Sequence, residues 1–307
     1  MKVFIAVITS VLITITSSPA HAWWDEGHME VAAKAYWLLK PDVRSKIDAL
    51  IRVNKDFGKW TAGFADPQKP EIAFTHAATW PDDIKKDGSG YKSDSITGNE
   101  ASQNIGYTDL NKHAYWHFID IPFSTDETTV APPARPNALT QIEAFATALA
   151  SSTTSDDIKS YDLVWLLHLV GDVHQPLHAT ARFSKHLADD RGGNDERVVA
   201  PGETEPTALH LFWDALPGTS SDPMEAIKKA KALPAVDPDQ AAIIDPATWV
   251  IESFSIAQND VYTSLILDGE GPFALTQSYV SHAQEVADQR VALAGARLAV
   301  LLNAALK

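Results

Sequence analysis

Two pairs of histidine and aspartate, each spaced four residues apart, constrain what this chain can fold into. His168 precedes Asp172 and His210 precedes Asp214, in segments that are otherwise rich in Leu, Val and Trp. A helix places residues four apart on one face, so each pair presents an imidazole beside a carboxylate. An unpaired charge is costly in apolar surroundings, and imidazole with carboxylate is a set of zinc ligands. The pairs therefore predict a buried metal site.

A third histidine extends the first pair. His178 lies six positions after Asp172, which on a straight helix would point it away from the metal-binding face. Pro176 changes this expectation, because its ring removes a hydrogen bond and clashes with the carbonyl of Asp172, so the helix kinks or ends there. A single histidine on an apolar helix is more often a hydrogen-bonded core residue than a ligand. The whole set favours a metal.

Residues 1–22 have the pattern of a secretory signal. Lys2 supplies the positive charge, a mostly apolar run extends to Ile15, and Ala20-His21-Ala22 is a small-x-small cleavage site. The mature chain would begin at Trp23, although a cut after Ala20 also fits the small-residue rule. The run is too short to span a bilayer, and no later segment has about 20 uninterrupted apolar residues. We therefore expect a secreted or periplasmic protein without a membrane anchor.

Composition narrows the class of protein. The chain has 40 acidic and 25 basic residues, a formal net charge of -15, which argues against a protein that coats nucleic acid through counterion release. It does not exclude an enzyme whose metal ions supply local positive charge. Cysteine is absent although export would permit disulfides, so a metal is expected to support the fold.

Hydrophobic spacing predicts helices joined by polar loops, and residues 23–307 are long enough for one catalytic domain. Residues 54–81 are expected to be irregular, and residues 85–112 and 182–206 to be polar surface loops. No segment keeps the alternation of apolar and polar residues that is typical of a β-strand, so we predict an all-α, single mainly helical domain. The predicted helices are Trp23–Leu39, Val43–Val53, Asn137–Ala150, Asp156–His174, a short helix capped by Thr207, one opened by Asp245-Pro246, and Gln277–Leu306.

The order of short motifs resembles a known family. The motifs are, in order, Trp23 with Gly27-His28, Trp80-Pro81-Asp82, His117-Phe118-Ile119-Asp120, the His168 to His178 segment with Gln175-Pro176-Leu177-His178, and the His210 and Asp214 pair. This order is similar to that of the zinc-dependent type I nucleases, the single-strand-specific three-zinc enzymes of fungi and plants. That family shares a fold with bacterial zinc phospholipase C. The resemblance covers nearly all of residues 23–307 and implies the zinc phospholipase C and nuclease fold.

The resemblance implies three zinc ions per chain. It assigns the first zinc to Asp82, His117, His168 and Asp172, and the second zinc to His178, His210 and Asp214. It assigns the third zinc to His28, to Asp172 as a bridge, and to the amino group and carbonyl of Trp23. Signal cleavage before Trp23 would then be part of building the site.

The resemblance also suggests roles for three further residues. Asp120 matches a carboxylate that orients the attacking water, Lys85 lies where the family places a basic residue near the phosphate, and Phe118 matches an aromatic that stacks on a base. Each has a structural alternative, since Asp120 could cap a turn before Pro122, Lys85 could be a solvated surface residue, and Phe118 could be core. The family commonly has an amide at the position of Ala215 and lacks the long polar loop before His117, so base preference is open.

The leading functional hypothesis is a secreted endonuclease that hydrolyses single-stranded DNA and RNA to 5'-phosphate products, with 3'-nucleotidase activity left open. One alternative is a phospholipase C-like phosphoesterase, against which Asp214 argues because those relatives have Glu there. Another is a non-catalytic periplasmic zinc-binding protein. We expect a monomer whose partners are its nucleic-acid substrates, with no protein partner.

Overall fold

The computed structural model describes residues 23–267 and 270–307. The segment interpreted as a secretory signal, residues 1–22, lies outside the described residues. The fold is mainly helical, with 53% helix and 6% strand, which confirms the predicted fold class. The α-helices are α1 (Asp25–Leu38), α2 (Pro41–Ile51), α3 (Phe57–Trp60), α4 (Lys69–Ala77), α5 (Trp80–Asp83), α6 (Ala138–Ala150), α7 (Asp156–Asp172), α8 (Leu209–Asp214), α9 (Pro223–Ala230), α10 (Pro238–Ala241), α11 (Pro246–Ile256), α12 (Ser264–Leu267) and α13 (Gln277–Ala305).

Helix α7 lies at the centre of the fold. It packs against α1, α2, α5, α6 and α13, and every residue from Ser160 to Asp172 is buried. A helix that is apolar on all sides belongs in a core rather than at a surface. Because His168 and Asp172 are in its last turns, the fold places both side chains in the protein interior.

Helix α1 packs closely against the C-terminal half of α13. The approach is closest at Gly295, where an added Cβ would lie 2.7 Å from Lys34 Cβ and 2.9 Å from the Val31 carbonyl oxygen. Helix α1 also packs against α4, α7 and α9. These contacts hold Trp23 and His28, at the start of this region, in the core beside α7.

Five short strands supplement the helices in the described part of the chain, a feature that the absence of β alternation did not predict. They are β1 (Ile121–Ser124), β2 (Thr180–Phe183), β3 (Arg197–Val199), β4 (Thr207–Ala208) and β5 (Phe273–Ala274). Strands β1 and β2 are parallel, with Ile121 opposite Thr180. Strand β3 pairs with β4 in the antiparallel and with β5 in the parallel sense. Since β1 follows Asp120 and β2 follows His178, their pairing brings two distant motifs side by side.

Residues 54–81 are not irregular, as we had predicted, but form α3, α4 and α5. Helices α4 and α5 have Pro70 and Pro81 in their first turns, where the fixed φ of proline suits a helix start. Helices α9 and α10 were missed as well. They begin in the same way, each after an aspartate that caps the helix by accepting a hydrogen bond from a backbone N–H.

Two predicted helix boundaries were wrong. Thr207 pairs with Val198 in a strand instead of capping α8, which begins at Leu209. Helix α7 stops at Asp172 instead of His174, because the amide of His174 bonds to the carbonyl of Gly171 in a tighter turn. A short 3₁₀ helix, Pro176–Ala179, follows that turn. The helix thus ends before Pro176, which agrees with the prediction that proline would end or kink it.

The polar stretch before His117 is anchored at its end by a buried histidine. The ring of His113 lies between two carboxylates, 2.7 Å from Asp94 Oδ2 and 2.9 Å from Asp109 Oδ2. It also stacks on Trp116, with ring centroids 3.6 Å apart. This stretch is therefore not simply a surface loop, because its last residues are fixed in the core just before His117.

No helix within residues 23–267 and 270–307 is long and apolar enough to cross a membrane.

Gly295→Ala is expected to destabilise the protein by about 1–3 kcal/mol, because the added methyl overpacks the contact between α1 and α13. In an isolated helix, alanine is more favourable than glycine by about 1 kcal/mol. A loss of stability in Gly295→Ala would therefore report the packing and not the helix propensity. Urea unfolding of the metal-loaded protein measures the difference. The control is Gly58→Ala in α3, where an added Cβ meets nothing within 4 Å and stability should be unchanged or higher. Equal stability of the two variants would contradict the prediction.

Candidate metal centre

Besides Asp214, seven buried side chains from distant parts of the described sequence converge around the end of α7. Helix α7 supplies two of them, and short elements on both sides of it supply the others. The seven are His28 of α1, Asp82 of α5, His117 after a 3₁₀ turn (Ala114–Trp116), His168 and Asp172 of α7, His178 of the 3₁₀ helix, and His210 of α8; Asp214, also of α8, completes the cluster.

The first group joins α5, α7 and the segment after the 3₁₀ turn. His168 Nε2 lies 2.9 Å from His117 Nδ1, and Asp82 Oδ1 lies 3.6 Å from the former and 3.8 Å from the latter. Donor atoms this close, each from a buried side chain, form a group that could hold a metal ion.

Asp172 connects the first group to another. Its Oδ2 lies 3.1 Å from His117 Nδ1 and 3.4 Å from His168 Nε2, while its Oδ1 lies 3.3 Å from His28 Nε2. His28, His168 and Asp172 form a second possible metal-binding group. The His28 ring stacks on the His168 ring at 3.7 Å, and this is only possible because residue 171 is glycine, where a Cβ would lie 2.9 Å from His28 Nδ1.

The last group lies beyond the end of α7. His210 Nε2 is 3.0 Å from His178 Nε2 and 3.4 Å from Asp214 Oδ2, and the three residues could hold a metal ion. Gln175 supports this group from the turn before His178, because its amide donates to Asp214 Oδ1 at 2.7 Å. The sequence analysis did not identify Gln175, although it lies inside the motif that contains His178.

Backbone carbonyls fix the tautomers of three of these histidines. Nδ1 of His168 lies 2.7 Å from the Ala78 oxygen, and Nδ1 of His178 and of His210 lie 2.7 Å from the oxygens of His117 and Gly192. A carbonyl only accepts hydrogen bonds, so each Nδ1 carries the hydrogen and each Nε2 presents a lone pair to the cluster. This is the usual way in which a protein orients a metal-binding imidazole.

Burial governs the protonation of the cluster. It lowers the pKa of His28, His117 and His178, which favours the neutral imidazole that a metal requires. Burial also raises the pKa of Asp172 and Asp214, because an ionised carboxylate there lacks sufficient positive charge. Buried atoms such as His28 Nε2 and Asp214 Oδ2 have no hydrogen-bond partner. A bound cation would stabilise both carboxylates and occupy the lone pairs, so the donor set fits a metal ion.

Trp23 is fully buried next to this cluster. A Cβ added at Gly27 would lie 2.7 Å from the Cβ of Trp23, and a Cβ added at Gly171 would lie 3.8 Å from the edge of the Trp23 ring. The amide of the next residue, Trp24, donates to the carbonyl of Asp214 at 3.1 Å. The start of the described chain is therefore held against both α7 and α8.

Lys85 belongs to the site and not to a solvated surface pair, which was the structural alternative considered from the sequence. Its side chain is 5% exposed, and Nζ lies 2.6 Å from Asp82 Oδ1. The neighbouring Lys86 is 54% exposed and pairs with Asp83 instead. Of these two adjacent lysines, one is thus a buried cation at the cluster and the other a surface cation.

Asp120 and Phe118 line a cavity of about 360 Å³ that opens on the cluster, together with His117, Leu177, His178, Asp189, Arg191, Asn194 and His210. Burial, and then the charges of Asp189 and Asp190, raise the pKa of Asp120 to about 7. Phe118 is half-buried, since its ring also packs against the main core. Both side chains are thus placed where a ligand of the cluster would contact them.

The loop of residues 182–206 contributes to the site, which the sequence analysis did not predict. Asp189, Arg191 and Asn194 line the cavity, and Arg191 is held by two hydrogen bonds to Asp195, of 2.8 and 2.6 Å. The signal in the sequence was the Gly192-Gly193 pair. Gly192 has a φ of 63°, and a Cβ there would lie 2.5 Å from the Leu177 oxygen, so only glycine brings its carbonyl to His210.

The other histidines within residues 23–267 and 270–307 lie outside the three groups. His174 bonds to Arg297, His113 lies between its two carboxylates, and His282 pairs with Asp260 at the surface. His186 pairs with Glu270 at the surface, and His76 is partly buried. The sequence analysis had assigned none of these to a metal.

The comparisons with known proteins agree with this geometry. A family model described as S1/P1 Nuclease matches residues 23–307, the whole of the described chain. A search of curated proteins found no match. The match includes the three groups that could hold metal ions and the cavity beside them, and the family implies hydrolysis of phosphodiester bonds in nucleic acids. The chain therefore belongs to the S1/P1 nuclease family.

Proposed function

We propose that this protein is a secreted, zinc-dependent endonuclease that hydrolyses single-stranded DNA and RNA to 5'-phosphate products and uses three zinc ions per chain. The observation that carries the proposal is the convergence of three histidine and aspartate groups beside a cavity that contains Asp120 and Phe118. Family membership supports the phosphodiesterase reaction.

The spacing of the donor atoms supports zinc. Zinc bonds of about 2.0–2.2 Å in a tetrahedron require neighbouring donors about 3.4 Å apart. The donors of the first group are separated by 2.9 to 3.8 Å, and those around Asp214 and His28 by 3.0 to 3.4 Å. Imidazole nitrogen together with carboxylate oxygen also suits zinc, whereas magnesium and calcium prefer oxygen ligands.

The charge of the site supports a phosphodiester substrate. Three divalent ions would outweigh the three carboxylates of Asp82, Asp172 and Asp214, so the site would be positive inside a protein of formal net charge -15. Zinc, when bound, polarises the phosphodiester and activates water near neutral pH. Lys85, buried against Asp82, adds a cation that can stabilise charge on the phosphate in the transition state.

Two residues of the cavity complete the proposed mechanism. The carboxylate of Asp120 orients the attacking water and accepts its proton, a role that suits a pKa raised towards neutrality. The partly exposed ring of Phe118 stacks on a base, and stacking tolerates every base because each has a π face. An unpaired base is required for such stacking, which supports a preference for single strands.

Secretion belongs to the same proposal. We infer that a signal peptide is cut after Ala22, which frees the amino group of Trp23 for the group that contains His28. The burial of Trp23 and the start of the family match at that residue support this cut. N-terminal sequencing of the exported protein tests it, and a chain starting at His21 would contradict it.

The first experiment measures release of acid-soluble 5'-mononucleotides from single-stranded DNA by the processed protein. Activity should be lost with a chelator and return with zinc, whereas magnesium should not restore it. Asp120→Asn should keep its zinc and lose about 10²–10⁴-fold in kcat, since it removes the base and not a ligand. No cleavage of nucleic acid by the zinc-loaded protein, with hydrolysis of a phospholipid, would instead indicate the phospholipase alternative. Zinc binding with neither activity would indicate a zinc-storage protein.

Gly171→Ala should remove about one metal ion per chain, because the methyl would push His28 away from Asp172. The substitution should not weaken α7 itself, since alanine favours a helix by about 1 kcal/mol. Metal content is measured by atomic emission after dialysis, with Gly58→Ala as the control that adds a methyl in open space. Full metal content in Gly171→Ala would show that His28 is not a ligand.

Asp189→Asn is expected to move the acid limb of the pH profile of kcat to lower pH. Asp120 is active as the carboxylate, so activity falls as the pH drops through its pKa. Removing the negative charge of Asp189 lowers that pKa, and bound cations lower it further from the value of about 7. The groups facing Asp120 are Asp189, Asp190 and Arg191, beside the three histidines of the cavity. An unchanged limb would exclude Asp120 as the titrating group.

A further inference from the structure

The turn that joins α7 to the 3₁₀ helix lies between two metal-binding groups. Asp172 precedes the turn and belongs to the groups on α7, whereas His178 follows it and belongs to the group with His210. The place of His178 relative to Asp172 therefore depends on the conformation of Val173–Gln175. These residues are buried and lie beyond the end of α7, so contacts with neighbouring elements must fix their conformation.

Helices α11 and α13 hold this turn through three side-chain contacts. Ser253 Oγ donates to the Val173 carbonyl at 2.6 Å, and Arg290 Nε donates to the His174 carbonyl at 3.2 Å. Arg297 Nη1 lies 3.1 Å from His174 Nε2. Because His174 Nδ1 lies 2.7 Å from the Val170 carbonyl and must carry the hydrogen, Nε2 accepts from Arg297.

The two arginines are themselves held rigidly. Arg297 is fully buried and makes two hydrogen bonds to the carboxylate of Glu252, of 2.6 and 2.8 Å. Arg290 donates to the same carboxylate at 3.1 Å and to Ser253 at 2.8 Å. Two buried guanidinium groups thus share one carboxylate, whose side chain is 31% exposed.

Such an arrangement is a poor way to gain stability alone. Removing two cations from water costs more free energy than a single shared carboxylate returns, and apolar residues of similar size often stabilise a core as well or better. The arginines instead constrain geometry, because the N–H donors of a planar guanidinium fix the position of the acceptor. The acceptors here are the backbone and the ring of His174.

We propose that Arg297, supported by Arg290 and Glu252, is a positioning residue for the metal group of His178, His210 and Asp214. The inference rests on the metal-dependent function proposed above. Loosening the turn moves His178 and also Gln175, whose amide donates to Asp214. The ligands before the turn are held by α7 itself and by the Ala78 carbonyl, so they are affected less. Loss of Arg297 should therefore weaken one metal group selectively.

The test compares Arg297→Met, Arg297→Lys and the wild type in zinc buffered by a series of chelator concentrations. Loss of a residue that orients a ligand typically weakens metal affinity about 10–100-fold. Arg297→Met should lose one zinc at chelator concentrations where the wild type keeps all of its zinc, and excess zinc should restore kcat without a change in KM. Arg297→Lys, which keeps a donor for His174, should recover part of the affinity. A purely structural role would lower stability without this zinc-dependent rescue.

Arg44→Met is the matched control. Arg44 is a half-buried arginine of α2 that donates to the carbonyls of Trp37 and Leu39, remote from the turn. Its loss should lower stability without changing zinc affinity. If Arg297→Met does not fold, His174→Leu removes the same contact while the bonds between Arg297 and Glu252 remain, and it should show the same selective zinc loss.

A double-variant comparison locates the effect. Asp214→Ala removes the group beyond the turn, so adding Arg297→Met to it should release no further zinc. Further release, or equal zinc affinity of Arg297→Met and wild type, would overturn the inference. A wild type that binds no zinc would overturn the proposed function instead, so the two failures are distinguishable.

Discussion

The constraint on which this structure depends is the burial of imidazoles and carboxylates around the end of one central helix. Burial lowers the pKa of His28, His117 and His178 and raises that of Asp172 and Asp214, so neither residue type is satisfied by the protein alone. A metal ion satisfies both, because it takes the lone pair of a neutral imidazole and balances a carboxylate. The elements around α7 then act as supports that aim each donor atom inward.

The supports are mostly backbone atoms of segments with little regular structure. Carbonyls of Ala78, His117 and Gly192 orient three imidazoles, and the parallel pair β1 and β2 sets the segment of Asp120 beside that of His178. Short irregular segments can present carbonyls in this way, because a helix interior uses its carbonyls for its own hydrogen bonds. The central helix provides a rigid support, and the backbone carbonyls of the irregular segments orient the imidazoles.

The same arrangement reconciles an acidic chain with a polyanionic substrate. A protein of formal net charge -15 gains no affinity for nucleic acid from its surface as a whole. With metal ions bound, the buried cluster would join Lys85 and Arg191 in concentrating positive charge beside a cavity that carries an aromatic ring and a carboxylate of raised pKa. Binding is therefore expected only where the reaction occurs, which suits an enzyme that must release its products.

Sequence by itself determined the mainly helical class and the long helices α1, α6, α7 and α13, because helical spacing is a local property. Helical spacing also indicated the pairs of His168 with Asp172 and of His210 with Asp214, whereas the other members of the three groups were expected only from the resemblance of short motifs to a family. Sequence did not determine that Lys85 is buried while Lys86 is exposed, that residues 54–81 are helical, or that Arg191 and Asn194 reach the cavity. Nor did it connect Arg297 to His174, 123 residues away. These features depend on contacts between residues distant in sequence, and only the packing of the complete chain decides which of many polar side chains are enclosed and which face water.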